Sequence, residues 1–252
     1  MKNTCVVLGL VVLAAGGTLL IGSCGGGGGS DSGTPSVALL ADTDYVDNDV
    51  TDNRAEASNV YKTLQHLSVD AVAFTGVAPA AFTAALEGRS ALAIPELDSL
   101  APGNLASDLN STAAAAILDF VQSGGSFLIF SGEIRNLAVA NTIFGTSMEF
   151  QREVYDTISL DPAVAAGTHF AGAPSTLGYP NQVTAIDSAT LPPPARRMYA
   201  DSGMNSVVLV VPYGSGHIIC LGWDWDWGDW TLPDTPITEG DEGAGSRFSP
   251  GL

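Results

Sequence analysis

Between residues 36 and 131 four short apolar runs alternate with helix-like segments, and this pattern constrains the fold more than any other feature of the chain. Val37-Ala-Leu-Leu-Ala41 ends at Asp42, and Ala71-Val-Ala-Phe74 ends at Thr75-Gly76. Ala91-Leu-Ala-Ile94 and Phe127-Leu-Ile-Phe130 are bounded in the same way. Strands that are apolar throughout, not alternating, are covered on both faces, and strands separated by helices form a parallel sheet. The intervening helices are predicted from Thr51 or Asp52, as a cap, to about His66, over Pro79–Leu86 with Gly88 as stop, and over Ser111–Gln122 ending at Gly124-Gly125. Right-handed crossovers place helices on both sides of the sheet. The expected class is α/β: a flavodoxin-like, doubly wound, mostly parallel sheet.

The second half reads differently. Asn136 to Phe144 has a helical pattern. Glycines and prolines from Pro162 through Pro192-Pro193-Pro194 then predict short strands and loops. Val207–Val211 and His217–Leu221, joined through Tyr213-Gly-Ser-Gly216, predict a hairpin that extends the sheet, giving a β-rich C-terminal extension. Residues 231–252 lack apolar periodicity and are expected to be a flexible tail. The domain is drawn over 36–230.

The amino end carries an address. Lys2 precedes an apolar run, Val6 to Ile21, that breaks at Gly22-Ser23-Cys24. A positive start, an apolar core and small residues before a break describe a secretory signal, and the run is short for a membrane span. Ile21-Gly22-Ser23-Cys24 resembles the bacterial lipobox, which implies cleavage before Cys24 and a lipid on its sulfur; the alternative is an ordinary signal that leaves Cys24 a free thiol. Both put the mature protein outside the cytoplasm. Residues 1–23 are then the signal and 24–35 a Gly/Ser-rich tether. Gly25, in place of aspartate, favours the outer membrane or the cell surface.

Charged residues are 14% and hydrophobic ones 46%, which marks a globular chain. The net charge of −18 argues against nucleic acid and against electrostatic attachment to anionic lipid. The membrane partnership rests on the lipid alone. Of three cysteines, Cys5 leaves with the signal and Cys24 is the lipid candidate. Cys220 stands alone in an apolar run, as a buried small hydrophobe.

Four segments together resemble the class I glutamine amidotransferase-like superfamily, in an uncharacterised branch of secreted bacterial proteins. They are Ile94–Asp98, Phe120–Gly132, Thr168–Pro174 and Tyr213–Asp224. The resemblance implies a nucleophile in the turn after the fourth strand, at Phe130-Ser131-Gly132-Glu133, with a histidine and an acid later. No cysteine stands in that turn, Ser131 lacks a G-x-S-x-G frame, and Trp223-Asp224 offers no His-x-Glu. The fold is therefore expected without the chemistry.

Ligands of open parallel sheets bind beyond the carboxyl ends of the strands. That rim holds Asp42, Asp44, Thr75, Glu96, Ser131, Glu133, Trp223 and Asp224 as candidate ligand-binding residues. Converging carboxylates suggest a divalent cation such as Ca²⁺, with Asp42, Asp44 and Glu96 as ligands; the alternatives are a solvated acidic rim or a protonated member. Asp42 to Asp52 is densely acidic but lacks the glycine and closing glutamate of an EF-hand. Trp223, Trp225 and Trp227 would share one face of a strand, where they could stack on a glycan or pack a sheet edge. His66 and His169 read as structural. The function expected is a lipid-anchored, extracytoplasmic, non-catalytic module that binds a ligand, glycan or envelope protein. A metal-assisted hydrolase on the acidic rim is the enzyme alternative, and a purely structural surface protein is the third reading.

Overall fold

The computed structural model describes residues 35–49, 55–98, 100–177 and 183–223. Cys24, the signal and most of the tether, the Thr51 and Asp52 caps, Asp224 to Trp230 and the tail lie outside the described residues. No helix among the described residues is long and apolar enough to cross a membrane.

The first half follows the predicted alternation: β1 (Ser36–Leu40), α1 (Glu56–His66), β2 (Asp70–Phe74), α2 (Pro79–Leu86), β3 (Ala91–Ile94), the short α3 (Leu105–Asp108), α4 (Ser111–Gln122), β4 (Ser126–Phe130) and α5 (Ile134–Phe144). The second half adds β5 (Phe150–Val154), β6 (Ile158–Leu160), the single-turn α6 (Pro162–Ala165), β7 (Thr176–Leu177), β8 (Val183–Ile186), β9 (Arg196–Ala200), β10 (Ser206–Tyr213) and β11 (Gly216–Leu221). Two 3₁₀ turns, His169–Gly172 and Ser188–Thr190, lie between them.

All eleven strands belong to one sheet, ordered β2-β1-β3-β4-β11-β10-β9-β6-β7, with β5 paired to β8 and β8 to β10. The first five positions are parallel. Their order is that of a flavodoxin-like sheet, with β11 as the fifth strand. The rest is antiparallel. The expected fold class is thus observed, extension included.

Strand alternation divides the core in two. Val37, Leu39, Leu128, Phe130, Ile219 and Leu221 pack with Val60 and Leu64 of α1 on one face. Ala38, Leu40, Leu92, Ile94, Phe127 and Ile129 pack with Phe82 of α2, Ile117 of α4 and Leu137 of α5 on the other. The apolar run of β2 differs from the buried strand it predicts. It is the edge of the sheet, so Val72 is 42% exposed. Helix α1 begins at Glu56 with Ala55 at its cap position and no side-chain cap. Helix α4 is capped by Asn110, whose side chain accepts from the Thr112 and Ala113 N–H groups.

Candidate functional site: the carboxyl rim of the sheet

Two places on the rim could hold a ligand: the switch point between β1 and β3, and the turn after β4. Each is filled by the protein's own side chains.

At the switch point the loops after β1 and β3 are tied together. Asp98 N–H donates to the Tyr45 carbonyl at 3.0 Å, and Gly103 N–H to the Asp44 carbonyl at 2.8 Å. The Tyr45 ring fills the space between them. A Cβ at Gly103 would lie 2.4 Å from that ring and 2.6 Å from the Asp44 carbonyl oxygen, so only glycine permits the approach. The Tyr45 hydroxyl donates to Asp108 at 3.2 Å. Burial first, then Asp108, Asp42 and Asp44, push the phenol up to about 12, so it is a hydrogen-bond donor and not an acid–base group. What remains is a shallow crevice with no enclosed volume, lined by Tyr45, Leu97, Gly103, Asn104, Leu105 and Arg135.

Asn136, in the first turn of α5, holds the exits of β3 and β4 together. Its Oδ1 accepts the Leu97 N–H at 3.0 Å, and its Nδ2 donates to the carbonyls of Pro95 at 2.8 Å and Phe130 at 3.0 Å. All three bonds are buried, so the side chain satisfies main-chain groups that water does not reach.

The turn after β4 has the backbone of a strand-to-helix elbow. Ser131 has φ +86°, a left-handed conformation rare outside glycine. Its N–H donates to the Leu221 carbonyl at 2.6 Å, and its Oγ accepts the Glu133 N–H at 3.2 Å. Strand β8 lies over it. Gly132 N–H donates to Thr184 Oγ1 at 2.6 Å, and that hydroxyl donates to the Gly222 carbonyl at 3.1 Å. Thr184 N–H reaches the same carbonyl at 2.6 Å. A Cβ at Gly222 would lie 2.1 Å from the Thr184 carbonyl oxygen, so glycine is required for β8 to sit this close. Ser131 has no exposed surface.

No histidine serves this turn from the neighbouring strand. His217 pairs with Ser126 at the other end of β4, while Leu221 pairs with Phe130. Five residues of strand, roughly 17 Å, separate His217 from Ser131 along the sheet. Burial, then the Arg196 charge, lower the His217 pKa. Cys220 is fully buried, and its thiol is pushed up to about 12. Neither group is poised to react.

The other candidates scatter. Asp42 joins two loops: its Oδ1 accepts the Asp44 N–H at 3.0 Å and its Oδ2 the Gly76 N–H at 2.7 Å, which also draws in Thr75. Asp44 and Thr75 are exposed, and Glu96 is half-buried in the β3 exit loop. Glu133, at the amino end of α5, has its pKa raised by burial and by the nearby Glu153 charge. Among the described residues no group of three or more His, Cys, Asp or Glu side chains could hold a metal ion, so Asp42, Asp44 and Glu96 do not form the triad expected of a cation site. Trp223 is 5% exposed and belongs to the core cluster with Phe130, Val183 and Leu221. It packs the sheet and offers no face to a glycan.

Sequence reasoning passed over Tyr45, Asn136, Thr184 and Gly222. Asn136 left a trace, a polar residue on a helical face otherwise bearing Leu137 and Ala140. It also passed over the clamp at the far end of the sheet. There Asp201, whose side chain has no exposed surface, accepts from Arg152 Nε at 2.8 Å and from the Asn205 N–H at 2.7 Å.

The sequence matches no protein-family model and no curated protein. Solved structures do match. A glutamine amidotransferase from Thermotoga maritima superposes on 78% of this chain and 78% of its own, with a TM-score of 0.50 at 12% identity. A ThuA-like protein from Bacteroides uniformis covers 87% of this chain and 99% of its own, with a TM-score of 0.50 at 11% identity. The fold is that of the class I glutamine amidotransferases. An exo-β-1,4-mannosidase from an Opitutaceae bacterium covers 76% of this chain with a TM-score of 0.46 at 14% identity, and the chain spans 31% of that enzyme's length. At these identities the likeness concerns the fold alone.

Proposed function

We propose that this chain is a non-catalytic module of amidotransferase-like fold, held outside the cytoplasm by a lipid on Cys24, that binds a ligand or partner at the cell envelope. One observation carries the non-catalytic part. The turn that would present a nucleophile holds Ser131, buried beneath β8, with the Gly132 N–H already engaged by Thr184. An amidotransferase needs an accessible thiolate there, with a base in hydrogen-bond reach. The buried Cys220 is a poor substitute.

The lipid anchor rests on the Ile21-Gly22-Ser23-Cys24 pattern after an apolar run. With a net charge of −18, the chain needs such a covalent hold to stay on an anionic membrane. The purified protein should show no glutaminase activity, and turnover abolished by Cys220→Ser would overturn the non-catalytic reading. In cells fed a labelled fatty acid, Cys24→Ala should lose the label. A Cys24→Ala protein that stays labelled and correctly processed would overturn the anchor.

A further inference from the structure

The two ends of the sheet are finished differently. At one end β7 has two residues, Thr176 and Leu177, and a short edge resists the addition of a strand. At the other, β2 has five residues and no described strand beyond it. β2 carries no lysine, no proline and no bulge, and its register with β1 is unbroken. Val72 and Ala73 are exposed on it.

The hydrogen bonds to β1 fix which main-chain groups of β2 face outward. Asp70 N–H donates to the Pro35 carbonyl, and the Phe74 carbonyl accepts from Ala41 N–H. In a parallel ladder a residue turns its N–H and C=O to the same side. Asp70, Val72 and Phe74 therefore face β1, while Ala71 and Ala73 turn both groups outward. The outward groups lie symmetrically about Val72.

We propose that β2 pairs with β2 of a second copy of this chain, antiparallel, about a two-fold axis through Val72. In that register Ala71 stands opposite Ala73 of the other copy, and each such pair exchanges both main-chain hydrogen bonds. Val72 faces its own counterpart as a non-hydrogen-bonded pair, the position where side chains come closest. Ala71-Val72-Ala73 reads the same from either end, as an isologous contact requires. Charge permits the pairing despite the −18 carried by each copy. The one charge on the strand, Asp70, is joined to Arg89 at 2.7 Å, and it lies opposite Phe74 of the other copy, away from that copy's Asp70. A basic partner strand would find no unpaired acid on β2. A five-residue strand pair is smaller than a tight interface needs, so the association is weak, and added salt strengthens it by screening the repulsion.

Cross-linking of the full-length chain carrying Cys5→Ser and Cys24→Ser, in which the buried Cys220 is the one native thiol left, tests the proposal. Val72→Cys is oxidised with copper–phenanthroline: two thiols form one disulfide, giving two protons to solvent and two electrons to Cu(II). The Cβ atoms of such a pair lie about 4.5–5.5 Å apart, close to disulfide range. Val72→Cys should give a disulfide-linked dimer on a non-reducing gel, which the serine-substituted parent and Thr142→Cys, exposed on α5, do not. Adding Ala73→Pro should abolish it, because proline removes an outward N–H and none of the bonds to β1. A register check avoids proline: Ala71→Cys mixed with Ala73→Cys should cross-link, and either alone should not. Absence of dimer from Val72→Cys overturns the proposal. So does a dimer that persists with Ala73→Pro, or cross-linking of Ala71→Cys alone as efficient as the mixture.

Discussion

The Thr184 hydroxyl accepts the Gly132 N–H at 2.6 Å and donates to the Gly222 carbonyl at 3.1 Å, so one side chain of β8 closes the ends of β4 and β11. Thr184→Val keeps the shape and removes both bonds, leaving a buried N–H without a partner. The expected loss is about 1–3 kcal/mol, read from urea unfolding. An unchanged midpoint would show that the turn holds without β8.

Asn136 donates to two carbonyls and accepts from one N–H. Aspartate has the same shape, but its ionised form cannot donate and would face the Pro95 and Phe130 carbonyls. Asn136→Asp should therefore be destabilised at pH 7. Its folded pKa would lie above the unfolded value of about 3.9, so the part of the penalty due to ionisation is absent below that pH and grows as pH rises toward the folded value. Melting curves of the variant and the parent should draw closer toward about pH 3.5, leaving only the gap due to the one carbonyl that a protonated carboxyl, with a single O–H, cannot reach. A gap independent of pH would mean that the asparagine acts by packing alone.

Glu133 is raised by burial and by Glu153, so its charged form is less favourable in the folded chain than in the unfolded one. The stability it allows is present below the unfolded pKa, near about 4.3, and is lost as pH rises through the raised value. Glu133→Gln should accordingly raise the melting temperature at pH 7 and leave it unchanged near pH 4. A fall at pH 7 would show that the α5 dipole outweighs burial and the Glu153 charge.

β1, β3 and β4 are legible in the sequence because a central strand is apolar on both faces; β3 has the predicted limits, and those of β1 and β4 are displaced by no more than one residue. β2 has the same apolar character, yet it lies at the edge, since an apolar run says nothing about strand order. The hairpin of β10 and β11 is legible from two apolar runs joined by the turn at Gly214. The strand that decides the site, β8, is four residues long. Thr184 contacts Gly132 across 52 positions, and no local pattern encodes that distance. Each rim acid follows a strand, which groups them in the sequence, but the loops give them different surroundings: Asp42 accepts the Gly76 N–H, and Glu133 lies near the like charge of Glu153.

The closed elbow can be tested with the residue that an amidotransferase would use. Ser131→Cys places a thiol where the resemblance to amidotransferases implies a nucleophile. The packing beneath β8 should bury it as fully as Ser131, and burial raises a thiol pKa as it does for Cys220. The variant should gain no glutaminase activity, and its reaction with a disulfide reagent should exceed that of the parent chain only in denaturant. Adding Thr184→Gly removes the hydroxyl that occupies the Gly132 N–H and opens space above the turn, so labelling under native conditions should then rise. Fast native labelling of Ser131→Cys alone would mean that β8 lifts from the turn readily, and the burial that carries the non-catalytic reading would be only one of the states the protein visits.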